Sequence, residues 1–232
     1  MNYPLRNAIL SFVLDGDAEA FYNGVTEIYA SYPKEVSDAL MNVLGTHDTE
    51  RILSVLGGAD IDTEDNAKLS QYRMPKDQRD RGIALLKMAS ILQFTLYGVP
   101  SIFYGDEAGL EGGHDPFCRM PYPWGREEKE LLSHYKKLGA IRQENPVFRH
   151  GEFRFLWVGE TAFAYERRED DRVIVVAANR GEAAVTFDAN GVAVDLMTGE
   201  PCLNKVIIPP DTCLILAVYE TGTTEKGATD VR

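Results

Sequence analysis

Apolar residues recur at helical spacing over residues 4–14, where Ala8, Ile9, Phe12 and Val13 share one face behind Pro4. The turn Asp15-Gly16-Asp17 ends this segment, and Asp17 offers a cap to the next helix. Phe21, Val25, Ile28, Tyr29 and Tyr32 carry the same period to about Ser31, and Pro33 closes it. A different texture follows. Leu40-Met41-Asn42-Val43-Leu44 is a compact apolar run ending at Gly45, which predicts a buried strand. The polar cluster Thr46-His47-Asp48-Thr49-Glu50-Arg51 stands at its C-terminal end. Residues 57–73 are polar and read as irregular. Pro75 opens a long helix to about Tyr97, with Gly98 as a left-handed stop and Pro100 barring continuation. Pro100–Tyr104 reads as a second short buried strand, followed by Gly105-Asp106-Glu107. A Gly-rich loop over 109–125 leads to a helix over about 126–144, marked by Leu131, Leu132, Tyr135, Leu138 and Ile141 and ended by Pro146.

From about residue 152 the period shortens to two. Phe153–Val158, Ala162–Arg167, Val173–Ala178, Ala184–Phe187, Ala193–Asp195, Lys205–Ile208 and Thr212–Val218 read as strands. Glu169-Asp170-Asp171, Asn190-Gly191 and Pro209-Pro210-Asp211 supply turns. Short strands at this density predict an antiparallel sandwich. Residues 221–232 are Thr-, Gly- and charge-rich and predict a disordered tail. The chain thus divides into 1–150, an α/β region, 151–220, an all-β domain, and 221–232, the tail. Strand–helix alternation in the first region predicts a parallel sheet, whose functional groups collect at the carboxyl ends of the strands.

Composition narrows the partners. Among 232 residues, 24 Lys+Arg against 36 Asp+Glu leave a net charge of −12, and the pI is about 4.8. Nucleic-acid binding needs a basic face, so no nucleic acid is expected as partner. Docking to anionic lipid is disfavoured for the same reason, and no apolar run is long enough to span a bilayer, so no membrane is expected either. Cys118, Cys202 and Cys213 are odd in number and widely spaced. They form no metal-binding pattern, so no metal and no cofactor are expected. Met1–Arg6 carries no signal-peptide pattern, and reduced thiols suit a cytoplasmic protein, with an export signal left open should residues precede Met1.

His47-Asp48 is the strongest chemical candidate, because both follow directly on a buried strand and can face a pocket at the sheet's carboxyl end. A locally bonded polar turn is the competing reading. Asp106-Glu107, in the equivalent place after the second strand, reads equally as a functional pair or as a structural one, a loop end or helix N-cap. Asp115 and Arg119 stand four apart, as a plain ion pair or as a ligand holder and its orienting cation. Trp124 is either loop packing or a sugar-stacking platform, and spacing alone leaves Tyr3, Tyr97, Tyr104 and Tyr122 divided between core and pocket.

Together these residues resemble a family. Val43-Leu44-Gly45-Thr46-His47-Asp48-Thr49-Glu50-Arg51 resembles the fourth conserved region of the α-amylase family of glycoside hydrolases. Gly98–Gly109, reading GVPSIFYGDEAG, resembles that family's eighth strand and following loop. Gly112–Arg119, reading GGHDPFCR, with Trp124, is similar to the neopullulanase, cyclomaltodextrinase and maltogenic amylase branch, and Met1-Asn2-Tyr3-Pro4 resembles the end of that branch's sixth strand. The resemblance runs to about residue 219. It implies an α/β fold: a partial (β/α)8 (TIM) barrel, about the last three strand–helix units, followed by an antiparallel β-sandwich C-terminal domain. It also implies roles. Asp48 would be the third catalytic carboxylate, contacting sugar hydroxyls and stabilising the transition state. His47 would bind hydroxyls of the sugar being cleaved, Asp115 and Arg119 would line the donor side of the cleft, and Asp106 and Glu107 would shape the loop.

The implied activity is retaining hydrolysis of α-1,4 or α-1,6 glucosidic bonds in starch, pullulan or cyclodextrin. That chemistry needs a nucleophile and a general acid about 5–5.5 Å apart. By the resemblance both should lie upstream of Met1, and no convincing copy of the family's Arg-x-Asp nucleophile motif follows it. The expectation is a chain inactive alone, which pairs as a homo-dimer to cover its open sheet edge or forms a piece of a longer chain. The alternative is a non-enzymatic glucan-binding or scaffold module.

Overall fold

A computed structural model describes residues 1–61, 65–189, 191–202 and 205–220. The first half is helical around a short parallel pair. Helix α1 (Tyr3–Asp15) begins at Asn2, whose side-chain oxygen accepts from the Leu5 amide at 3.3 Å, and stops at Gly16 with φ 76°. Helix α2 (Ala18–Ser31) starts under Asp17, which accepts from the Ala20 amide at 2.8 Å. A short α3 (Lys34–Ala39) leads into β1 (Met41–Val43), followed by α4 (Ile52–Gly57), α5 (Asn66–Gln71) and the long α6 (Lys76–Thr95). Strand β2 (Val99–Ser101) pairs parallel with β1, Met41 facing Val99 and Val43 facing Ser101. Helices α7 (Lys129–Glu144) and α8 (Val147–His150) complete this half.

The second half begins at β3 (Glu152–Val158), followed by β4 (Ala162–Glu169), β5 (Arg172–Asn179), β6 (Val185–Asp188), β7 (Gly191–Asp195), β8 (Pro201–Cys202), β9 (Lys205–Ile208) and β10 (Thr212–Glu220). Six of them form one sheet in the order β3-β4-β5-β10-β7-β8, and β6 pairs with β9 as a second sheet. The large sheet is covered on both faces. Phe163, Tyr165, Ile174, Val176, Ala178 and Ile215 share one cluster with the helices. Ala164, Val173, Val175, Ala177, Leu216 and Val218 point the other way, onto Phe187, Val206 and Ile208 of the small sheet. Two-sided burial explains why β4 and β5 are near-continuous apolar runs rather than alternating ones.

Polar side chains fasten the halves together. The buried Arg167 donates to the carbonyls of Thr95 at 2.7 Å, Gly151 at 2.9 Å and Phe148 at 3.3 Å, and lies 4.5 Å from the Tyr97 ring centroid. Tyr165 Oη meets Thr95 Oγ1 at 2.5 Å, and Arg180 Nε reaches the Val13 carbonyl at the end of α1 at 2.8 Å. On the parallel pair, Gln93 Nε2 of α6 donates to the carbonyls of Asn42 and Ser101, at 2.9 and 3.0 Å, bridging β1 and β2. The Asn2 amide donates to the Met41 carbonyl at 2.8 Å, so the segment before α1 runs along the other edge of β1.

Several expectations need correction. The stretch 57–73 is not wholly irregular, since α5 forms there under an Asp65 cap. Helices α3, α4 and α8 and strand β8 were not expected from the pattern; at two to six residues they are too short to show a period. The second parallel strand is Val99–Ser101 rather than 100–104, and it is not buried, with Val99 53% exposed. Helix α6 ends at Thr95 with Leu96 extended, so Gly98 is not its cap. Gly98 has φ 108°, and a Cβ there would stand 2.5 Å from the Leu40 carbonyl oxygen, so this is a close approach of the segments entering the two parallel strands. Helix α7 starts at Lys129 rather than 126. Asn190 and the 221–232 tail lie outside the described residues.

Candidate functional site

The site grows from the carboxyl ends of the parallel pair. After β1 the chain turns at Thr46, whose hydroxyl accepts from the Asp48 amide at 3.2 Å and meets Thr49 Oγ1 at 3.2 Å. Tyr3 Oη reaches the same hydroxyl at 3.4 Å, and Arg6 Nε donates to the Leu44 carbonyl at 2.6 Å. This bonding holds the backbone of the turn and leaves the His47 and Asp48 side chains more than half exposed, at 57% and 56%. His47 Nε2 lies 3.1 Å from Asp48 Oδ1.

The loop after β2 brings its own charges to the same place. A single 3-10 turn, Phe117–Arg119, follows the cis Asp115–Pro116 peptide bond. Arg119 Nε lies 3.0 Å from Asp115 Oδ1 and donates to the His47 carbonyl at 3.1 Å, while Nη2 lies 3.9 Å from Asp48 Oδ1. Cys118, buried behind the turn, also donates to the His47 carbonyl, at 3.3 Å. All four residues singled out from sequence, His47, Asp48, Asp115 and Arg119, therefore meet in one open cluster. One guanidinium stands between two carboxylates from different loops.

Beneath them lies a pair the pattern alone did not reveal. Arg51 and Asp106 are both out of solvent, with Nη1 to Oδ1 at 3.4 Å. Arg51 also donates to the Tyr104 carbonyl at 2.5 Å and stacks on the rings of Phe103 and Tyr104, 4.4 and 4.7 Å from their centroids. Its backbone amide holds the Gly112 carbonyl at 3.1 Å, and the Gly112 amide donates to Ser54 Oγ at 2.9 Å. Burial pushes the Asp106 carboxyl up to about 7, against the opposing pull of Arg51. Arg51 appeared in the sequence only as the end of a motif. Its partner is 55 residues away, which no local spacing encodes.

The remaining candidates resolve as follows. Glu107 accepts from the Gly105 amide at 2.9 Å, closing the turn after β2. Trp124 is 81% exposed, with its ring 4.5 Å from that of Tyr122. Tyr97 is core, while Tyr104 is 41% exposed. Arg168-Glu169-Asp170 has Arg-x-Asp spacing, but it lies at the β4–β5 turn, where Asp170 has φ 51°. Among the described residues no cluster of His, Cys, Asp and Glu has the arrangement of a metal site. No helix among them is long and apolar enough to cross a membrane.

No protein-family model matches the chain. Individual relatives do. An amylopullulanase of Thermoanaerobacter thermohydrosulfuricus is 36% identical over 230 residues, covering 86% of this chain and 15% of that protein. A cyclomaltodextrinase of a Bacillus species is 35% identical, covering 81% of this chain and 30% of that protein. The chain is homologous to the C-terminal part of α-amylase-family glycoside hydrolases. A solved cyclomaltodextrinase structure superposes with a TM-score of 0.75 at 30% identity, over 94% of this chain and 36% of that one. The chain therefore spans about a third or less of these relatives' length. Its architecture is α/β, part of a (β/α)8 barrel followed by an antiparallel β-sandwich.

Proposed function

We propose that this chain supplies the C-terminal part of a retaining α-glucan hydrolase acting on α-1,4 or α-1,6 glucosidic bonds. Asp48 is the catalytic carboxylate of this part. It accepts hydrogen bonds from sugar hydroxyls and, as an anion, stabilises the positive charge that develops on the ring in the oxocarbenium-like transition state. His47 binds hydroxyls of the same sugar, and Asp115 and Arg119 hold the neighbouring unit. The observation that carries this reading is the Arg119 guanidinium, 3.0 Å from Asp115 and 3.9 Å from Asp48, which joins carboxylates of two loops in one open cluster.

The nucleophile and general acid belong, in this proposal, to polypeptide other than residues 1–232, so the chain alone does not hydrolyse glucan. The same proposal divides the chain at about residue 150, between the barrel part and the all-β domain, whose antiparallel strands begin at Glu152. It also has the exposed apolar side chains of Met41, Val99 and Ile102 covered, by a second copy or by the rest of a longer chain. A cytoplasmic setting is supported by three free cysteines.

A non-enzymatic glucan-binding module is the second reading. It is favoured by the hydrophobic cluster that joins both halves using this chain's own residues. Incubation of the purified chain with maltodextrin, pullulan and cyclodextrin tests the proposal. No reducing sugar is expected. Sugar release that Asp48→Asn abolishes would show a complete active site in this chain and overturn the division of labour.

A further inference from the structure

A cavity of about 390 Å³ lies where the two ends of the loop that carries Asp115 and Arg119 meet the entry of α6. That volume is within the range of about 300–1,000 Å³ usual for small-molecule sites. Arg73, just before α6, Arg79, near its start, and Arg126, beyond the loop, all line it. They play different parts. Arg79 braces the wall: it donates to the Gly109 carbonyl at 3.1 Å and lies 3.7 Å from Glu111 and 3.5 Å from Glu128. Glu111 also accepts from the Met74 amide at 3.2 Å. Both carboxylates are therefore engaged with Arg79. Arg73 Nη1 donates to the carbonyl of its neighbour Tyr72 at 2.5 Å, and the Arg126 amide donates to the Pro123 carbonyl at 2.8 Å, closing a turn. Among the described residues neither Arg73 nor Arg126 has an ion-pair partner.

The charge balance identifies the ligand class. Three guanidiniums face one lining carboxylate, and Glu128 behind Arg79 adds a second, so positive charge is in surplus by either count. This surplus stands out in a chain whose net charge is −12. A cavity of this kind attracts an anion. Guanidinium forks match phosphate oxygens bidentately, and a phosphate monoester brings about −1.5 to −2 charge and three acceptor oxygens for two such forks. The volume exceeds that of a phosphate group alone, and Met120 and Tyr122 give the remaining wall apolar surface for a compact organic body. We infer that this cavity binds a small phosphate monoester, its phosphate held by Arg73 and Arg126 and its body against Met120 and Tyr122. It is separate from the His47–Asp48–Asp115–Arg119 cluster, and an occupant touches both ends of the loop that carries Asp115 and Arg119.

The test is calorimetric titration of glucose 6-phosphate into the purified chain and its Arg73→Ala, Arg126→Ala and Lys137→Ala variants, with inorganic phosphate and glucose titrated in parallel. Arg73 and Arg126 are exposed, so their removal leaves the packing of the fold in place, and Lys137 is an exposed cation of α7 that does not line the cavity. Saturable binding of glucose 6-phosphate is expected in the parent chain, weakening as salt rises. Each arginine variant should bind about tenfold more weakly or worse, and Lys137→Ala should agree with the parent within about twofold. Inorganic phosphate should bind more weakly than the ester and compete with it, and glucose should not bind there. Unchanged affinity in either arginine variant would overturn the site. A loss in Lys137→Ala as large as in the arginine variants would reduce the binding to general surface charge and overturn it too. Glucose bound as tightly as glucose 6-phosphate would overturn the assignment to phosphate, and inorganic phosphate bound more tightly than the ester would overturn the assignment to a monoester. Saturable binding of neither glucose 6-phosphate nor phosphate would overturn the proposal outright.

Discussion

Arg51 reaches Asp106 from the loop after β1 to the loop after β2, guanidinium to carboxylate at 3.4 Å, with both side chains out of solvent. The contact links the two loops whose outer surfaces carry His47, Asp48, Asp115 and Arg119. Breaking it at pH 8 leaves a buried carboxylate without its cation. Arg51→Ala should therefore cost about 3–5 kcal/mol in urea unfolding. The double variant Arg51→Met with Asp106→Leu removes both charges and should recover most of that loss. Equal losses in the single and double variants would show that packing, not charge, is what Arg51 supplies.

The same carboxyl sets a pH dependence. Burial raises Asp106 from 3.8 to about 7, so the folded state holds this proton more tightly than the unfolded chain does. The stability it contributes is complete below pH 3.8 and is lost as pH rises through about 7. Urea midpoints of the parent chain should fall between pH 5 and pH 8, and Asp106→Asn should flatten that decline. A parallel decline in the variant would assign the slope to other groups.

His134 acts with the opposite sign. It is buried beside Ser90 Oγ at 2.9 Å, and burial, aided by Lys87, lowers it from 6.5 to about 4. The fold thus disfavours its protonation, and the stability tied to the neutral ring is present above pH 6.5 and lost as pH falls towards 4. His134→Gln keeps a polar partner for Ser90 but cannot take up the proton. Its acid unfolding midpoint should move to lower pH, and an unchanged midpoint would contradict the assignment.

Two glycines separate close packing from backbone freedom. A Cβ at Gly45 would stand 2.3 Å from Asp106 Oδ2, beneath the site, whereas a Cβ at Gly139 on the exposed side of α7 meets nothing within 4 Å. Gly45→Ala should destabilise by about 1–3 kcal/mol through overpacking. Gly139→Ala should stabilise by about 0.5–1 kcal/mol through helix propensity. Thermal melts of the two variants, moving in opposite directions, check both.

What the sequence made legible follows from which signals are local. Helices α1, α2, α6 and α7 repeat their apolar positions over several turns, and Asp17 announces its cap, so pattern and structure agree. Most strands of the second half are equally plain, because turn residues punctuate them. The four- to six-residue helices α3, α4, α5 and α8 carry too little pattern to show a period; α4 is packed in by its neighbours, whereas α5 is mostly exposed and starts under the Asp65 cap. The placement of β2 escaped for a related reason: Gly98 lies close against Leu40, and that contact is invisible until β1 and β2 are side by side. At the site, His47, Asp48, Asp115 and Arg119 were legible as motif members. Their convergence is made by long-range contacts, Arg119 and Cys118 onto the His47 carbonyl and Arg51 onto Asp106 55 residues away, which have no local signature.

The central claim is that the His47–Asp48–Asp115–Arg119 cluster is the part of a glucan-hydrolase site that this chain supplies. Amide chemical-shift mapping with maltotriose tests it residue by residue. The account predicts saturable shifts over residues 46–49 and 114–119, lost there in the Asp48→Asn and Arg119→Ala variants. Shifts absent from both segments at saturating sugar, or unaltered there by both substitutions, would contradict it.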